Sequence, residues 1–254
     1  MAFALAVGGA AGAVSQFRLE RALWVWPMPD LAYRFLAAAA TAYVAGGVYC
    51  LVSRKPGAAE LLSMTVLLYG VPLVGAVIWD RDVIDWGRPV AWEFVVIVSI
   101  AMAIAAGFVV QQVREHPTNG WRQDVPGIFF VVLGVAATLV GVLVFFAPKQ
   151  AAWAWPWAEL AAWKPLDIRL IASMLITIGL GAAWFAWRRR NGMAELFTLM
   201  LVGYAVVAAI GLWKHARVAP AFKSEDYTYA AVFVAVAAAA VVVVALDRGR
   251  KSKR

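Results

Sequence analysis

Residues 34–71 read RFLAAAATAYVAGGVYCLVSRKPGAAELLSMTVLLYGV, and residues 169–206 read RLIASMLITIGLGAAWFAWRRRNGMAELFTLMLVGYAV. At an offset of 135 the two stretches align without a gap. Arg34 falls on Arg169, Gly46 on Gly181, Arg54 on Arg189, Gly57 on Gly192, Glu60 on Glu195, Tyr69 on Tyr204 and Val71 on Val206. At an offset of 129, Trp24-Val25-Trp26-Pro27 falls on Trp153-Ala154-Trp155-Pro156, so a six-residue insertion before Arg169 separates the two registers. Internal self-similarity decides architecture ahead of any local reading. Here it predicts one bundle built from two equivalent halves.

Both halves are made of membrane-spanning sequence. Hydrophobic residues are 64% of the chain and charged residues 15%, against roughly 45–50% and about 25% in soluble domains. A soluble chain of 254 residues could not hide that much apolar surface, so its exterior faces lipid. The net charge of +8 sits in short clusters between apolar runs, the pattern of topology signals and headgroup contacts, and not of a nucleic-acid surface. A single cysteine, Cys50, excludes an intramolecular disulfide and a thiolate metal site.

Seven apolar runs are long enough for helical spans of about 20 residues: 31–53, 60–79, 92–112, 126–147, 168–187, 195–213 and 227–246. Residues 1–17 are shorter, but at offset 129 they align with 130–146 and read as a short first span; no Lys or Arg precedes the run, as a secretory signal would require. The expectation is therefore an all-α, polytopic bundle of eight spans in a single membrane domain, 1–254. Repeat one covers about 1–117 and repeat two about 118–254, a parallel four-plus-four arrangement about an axis along the membrane normal. Arg54-Lys55, Arg188-Arg189-Arg190 and the basic tail 248–254 then share one side. That predicts a bacterial cytoplasmic (inner) membrane protein with both termini cytoplasmic.

Paired polar and aromatic residues are the candidate sites. Trp24, Trp26 and Pro27, with Trp153, Trp155 and Pro156, precede spans and are expected to anchor the bundle at the outer interface, where indole rings favour the headgroup level. Lining of an outer vestibule by the two copies is the alternative. Arg34 and Arg169 open spans and should reach phosphate or pair with Asp30 and Asp167, or bind an anionic solute. Glu60 and Glu195 occupy first helical turns, where the dipole favours a carboxylate, with Arg54 and Arg189 as near partners; proton coupling is the sharper alternative. Tyr69 and Tyr204 fall mid-span and are expected to point into the bundle and find hydrogen-bond partners, with Pro72 kinking the first copy's helix. Gly8 with Gly12, and Ala42 with Gly46, have the spacing of close-packing helix faces. No motif for a cofactor, a metal or a catalytic nucleophile is present, so neither cofactor nor metal is expected.

The doubled W-x-W-P followed by a span-opening arginine resembles a family of uncharacterised bacterial polytopic membrane proteins, whose motif is similar to W-P-W-P-L-T-P-L-T-x-R. Here the stretches are Trp24 to Arg34 and Trp153 to Trp157; both lack the threonines, and the second is interrupted before Arg169. The resemblance implies a membrane bundle and no assigned activity. Two functions remain in view. One is a non-enzymatic membrane protein with a structural role or that of a partner subunit, its partners being lipids, another membrane protein or a second copy. The other is a small permease or channel for a neutral or lipidic solute, with a site between the repeats. A membrane-facing pocket lined by Tyr69 and Tyr204 favours transport; a solid interface favours the structural role.

Overall fold

The computed structural model describes residues 1–18, 25–116, 125–154, 163–217 and 226–252. Among them every regular element is helical: α1 Ala2–Phe17, α2 Asp30–Ser53, α3 Pro56–Trp79, α4 Pro89–Glu115, α5 Val125–Phe146, α6 Pro148–Ala154, α7 Pro165–Arg188, α8 Met193–Ala216 and α9 Asp226–Ser252. A 3-10 turn, Arg81–Val83, follows α3. Hydrogen bonding explains the choice, since apolar segments in lipid must satisfy their backbone internally. Buried hydroxyls do the same within one turn: Ser63 donates to the Ala59 carbonyl at 2.8 Å and Ser173 to the Arg169 carbonyl at 2.7 Å.

Proline and left-handed turns punctuate the chain. Pro56, Pro89 and Pro165 open α3, α4 and α7, where a missing N–H is least costly. α2 and α7 end at Arg54 (φ 52°) and Arg189 (φ 42°), whose N–H groups close the last turns on the carbonyls of Cys50 and Phe185. Gly192 (φ 89°) then leads into α8. α3 runs unbroken through Pro72.

Six described helices are long and apolar enough to cross a membrane: α2, α3, α4, the segment Pro126–Phe146 of α5, α7 and α8. The chain is thus a helical bundle of multi-pass membrane type. α1 and the stretch Ala231–Leu246 of α9 are apolar but shorter. The short α6 and the 3-10 turn lie in segments that the sequence reading treated as plain connections.

The core consists of α2 against α8 and α3 against α7, with α1 outside α2, α5 outside α7, α4 outside α3 and α9 outside α8. Helices adjacent in sequence, α2 with α3 and α7 with α8, touch little, so the two halves interleave. Burial follows: 61% of the apolar window of α7 is enclosed but only 11% of that of α4, a peripheral helix with apolar residues on most of its surface. Small residues set the closest approaches. A Cβ at Gly46 would stand 2.9 Å from Leu62 and 3.1 Å from Met200, and one at Gly181 would stand 3.1 Å from Phe197 and 3.4 Å from Thr65. Ala42 and Gly46 do pack, but Gly8 and Gly12 do not: both face open space, and α1 meets α2 through Gly9, at Val44 and Ala40, and through Ala2 and Ala6, at Gly47. A four-residue spacing defines a helix face without saying which face is covered.

Candidate functional site

α3 and α7 lie side by side and are stapled at both ends. At one end Arg169, near the start of α7, donates to both carboxylate oxygens of Asp80, just past α3, one contact being 2.6 Å. The same guanidinium donates to the Phe145 carbonyl at 3.1 Å and stacks 4.4 Å from the Trp79 ring. At the other end Glu60 is fully buried and accepts from Arg188 Nε at 2.8 Å and from Arg190. Arg188 is also buried and reaches the Gln112 carbonyl at 3.2 Å, while Arg190 meets the Gln112 side chain at 2.8 Å. Helices α3, α4 and α7 are joined there.

These partners correct the sequence reading. Glu60 pairs across the halves with Arg188 and Arg190, not with Arg54, which the left-handed turn leaves exposed. Glu195 has Lys55 as a partner at 3.5 Å, which adds to the expected Arg189 without displacing it. Arg169 takes Asp80 in place of Asp167. Arg34 is buried and donates to the Gly211 carbonyl of α8 at 3.2 Å, with the charge of Asp30 one turn away also acting on it. Gly211 is needed for that approach, since a Cβ there would stand 3.0 Å from the Arg34 Cβ.

The Trp26 ring does not face outward. It is 1% exposed, packs edge-on against Phe94 and donates its indole N–H to Asp167 at 2.9 Å. The second oxygen of Asp167 accepts the Lys164 backbone N–H at 3.0 Å. The short Trp-Pro connection has folded inward, because a buried carboxylate needs donors more than the headgroup zone needs an indole. Pro27, beside it, leads into Pro29 and the start of α2 and is exposed. Trp153 falls in α6 with its side chain outside the described set, and Trp24, Trp155 and Pro156 lie outside the described residues.

Tyrosines occupy the middle of the bundle. Tyr69 and Tyr204 both face inward and line one narrow gap with Asp167, Phe35 and Met174, of about 10 Å³, the room of about one water molecule. Tyr69 also lines a larger cavity of about 200 Å³, walled by α1, α2, α3, α4 and one residue of α7, Leu170. Its lining is apolar except for Tyr43 and Tyr69, whose rings stand 6.1 Å apart. The Tyr43 hydroxyl donates to the Thr65 carbonyl at 2.9 Å. The expected partner for Tyr69 is missing: its enclosed hydroxyl has none among the described residues. Ile97, 66% exposed, forms part of the cavity rim, so the cavity opens sideways between α1 and α4.

Asp80, Arg188, Gln112 and Tyr43 are the residues that sequence reasoning missed. Arg188 was visible as part of a basic cluster, but Tyr43 falls on Ile178 at offset 135 and carried no repeat signal. Among the described residues no group of three His, Cys, Asp or Glu is placed to hold a metal. Compared with known proteins, the chain matches no family model, no curated protein and no solved structure at a significant level.

Proposed function

We propose that the protein is a non-enzymatic membrane protein acting as a small permease for a neutral or lipidic solute. The observation that carries this reading is the apolar 200 Å³ cavity around Tyr69, which lies among α1 to α4 and not between the two repeats, so that Tyr204, expected to share it, lines only the narrow gap. Ligand sites are concave, mostly apolar and furnished with few polar groups, and this one has two tyrosine hydroxyls. The ion pairs of Asp80 and Glu60 tie α3 to α7 at both ends, which favours entry from the side over a path along the bundle axis.

The architecture we assign is two parallel four-helix repeats, α1 to α4 and α5 with α7 to α9, in the bacterial cytoplasmic membrane with both termini inside. Paired contacts support the duplication. At offset 135, Gly46 against Leu62 and Met200 becomes Gly181 against Phe197 and Thr65, and Gly57 against Arg190 becomes Gly192 against Lys55. Glu60 with Arg190 likewise becomes Glu195 with Lys55. With offset 129 for the outer helix, Gly9 against Val44 becomes Thr138 against Gly179. We also assign the chain to the family with the doubled W-x-W-P motif and its following arginine.

A second reading, a structural or partner subunit, is favoured by α4, whose long apolar surface is largely uncovered. The deciding experiment is thermal stabilisation of the purified protein in nanodiscs across a library of neutral and lipidic solutes, followed by liposome flux for each hit. Stabilisation and protein-dependent flux support the permease. No hit and no flux sink it and leave the subunit role.

A further inference from the structure

Resting on the cavity reading, we infer that the site selects a small, membrane-dissolved amphiphile with one hydrogen-bond acceptor, a ketone or ester of roughly nine heavy atoms, held by the Tyr69 hydroxyl. Three observations define the class. An apolar cavity of 150 Å³ takes up benzene, so about 200 Å³ suits a body of somewhat larger size. The Tyr43 hydroxyl has its proton committed to the Thr65 carbonyl, which leaves the enclosed Tyr69 hydroxyl, without a partner among the described residues, as the donor. Tyr69 lines both this cavity and the narrow gap deeper in the bundle, which puts it on the inner side, and the exposed Ile97 marks the outer side. A ligand enters polar end first, reaches Tyr69 and leaves its apolar end among α1 and α4. Pure hydrocarbon fits the volume but leaves the buried hydroxyl unmet, and a charged head would lose its solvation with no counter-charge in the lining.

The test is thermal unfolding of the full chain in phosphatidylcholine nanodiscs, with 2-octanone or n-nonane added at matched mole fractions in the bilayer. Wild type should bind the ketone with roughly fivefold greater affinity than the hydrocarbon, the size of one net neutral hydrogen bond. Tyr69→Phe should abolish that preference while still binding nonane. Ala101→Phe, or Val98→Phe if the first is poorly folded, should fill the cavity and remove the response to both. Equal binding of ketone and nonane by wild type, or a preference that survives Tyr69→Phe, overturns the selection by Tyr69 while leaving the cavity in place. Responses unchanged by either filling variant, or no response to either compound, overturn the cavity reading as well.

Discussion

Glu60→Gln should be among the most damaging conservative substitutions in the chain. The carboxylate is fully buried and neutralises two guanidiniums, Arg188 at 2.8 Å and Arg190. Arg190 keeps some exposure and can turn toward water, but Arg188 is 1% exposed and would be left with the Gln112 carbonyl and an uncharged amide. Removing one partner of a buried ion pair costs about 3–5 kcal/mol, mostly as the penalty of the stranded charge. Arg188→Met should cost less, because Arg190 still faces Glu60. The double variant Glu60→Met with Arg188→Met should return to within about 1 kcal/mol of wild type, since well-packed apolar residues replace a buried pair at little cost. Reversible unfolding in mixed SDS micelles, read by tryptophan fluorescence, gives all three values. A loss below about 1 kcal/mol for Glu60→Gln, the range of exposed pairs, would refute the buried clamp. So would an equal loss for Arg54→Ala, which should be nearly silent.

Three further outcomes are expected. Gly57→Ala should destabilise by about 1–3 kcal/mol, because its Cβ would stand 2.6 Å from the Asn191 carbonyl oxygen and 2.7 Å from the Arg190 Cβ; wild-type thermal stability would show that the two loops are not in contact. Arg54→Gly should raise stability by about 0.5–1 kcal/mol, because an exposed arginine holds φ at 52° there; no gain on unfolding would remove the strain argument. Trp26→Phe should cost about 1–3 kcal/mol by leaving Asp167 short of a donor, and adding Asp167→Leu should recover part of it; a phenylalanine variant as stable as wild type would deny the hydrogen bond.

Apolar runs and proline positions made the long helices legible, because in lipid a run of that length has one way to satisfy its backbone. The partners of the charges were not legible. Glu60 lies six residues from Arg54 and 128 from Arg188, so proximity in sequence pointed to the wrong arginine. The correct one depends on α3 lying against α7 and not against α2, which no local pattern encodes. Trp26 misled for a related reason: W-x-W-P has the composition of a headgroup anchor, and only the carboxylate of Asp167, 141 residues away, explains its burial. The alignment at offset 135 held the missing information for the charges, since Lys55 and Arg190 are equivalent positions and meet Glu195 and Glu60, which are equivalent too.

On the repeat reading proposed above, the candidate cavity lies where the two aligned stretches differ. In the second half α5, of 22 residues, packs on α7 and also reaches α9. Its counterpart α1 has 16 residues, packs on α2 and makes no comparable contact with α4. The 200 Å³ cavity lies between α1 and α4, with Leu5 as the residue of α1 on its wall. Glycine adds to the difference: Gly70 faces Met102 of α4 at a distance that a Cβ would not allow, and its counterpart at offset 135 is Ala205. A ligand bound there would meet Tyr69 and not Tyr204, which sits behind the narrow gap. Tyr204→Phe should accordingly leave the ketone preference unchanged, and loss of that preference would move the site from the first half to the seam between them.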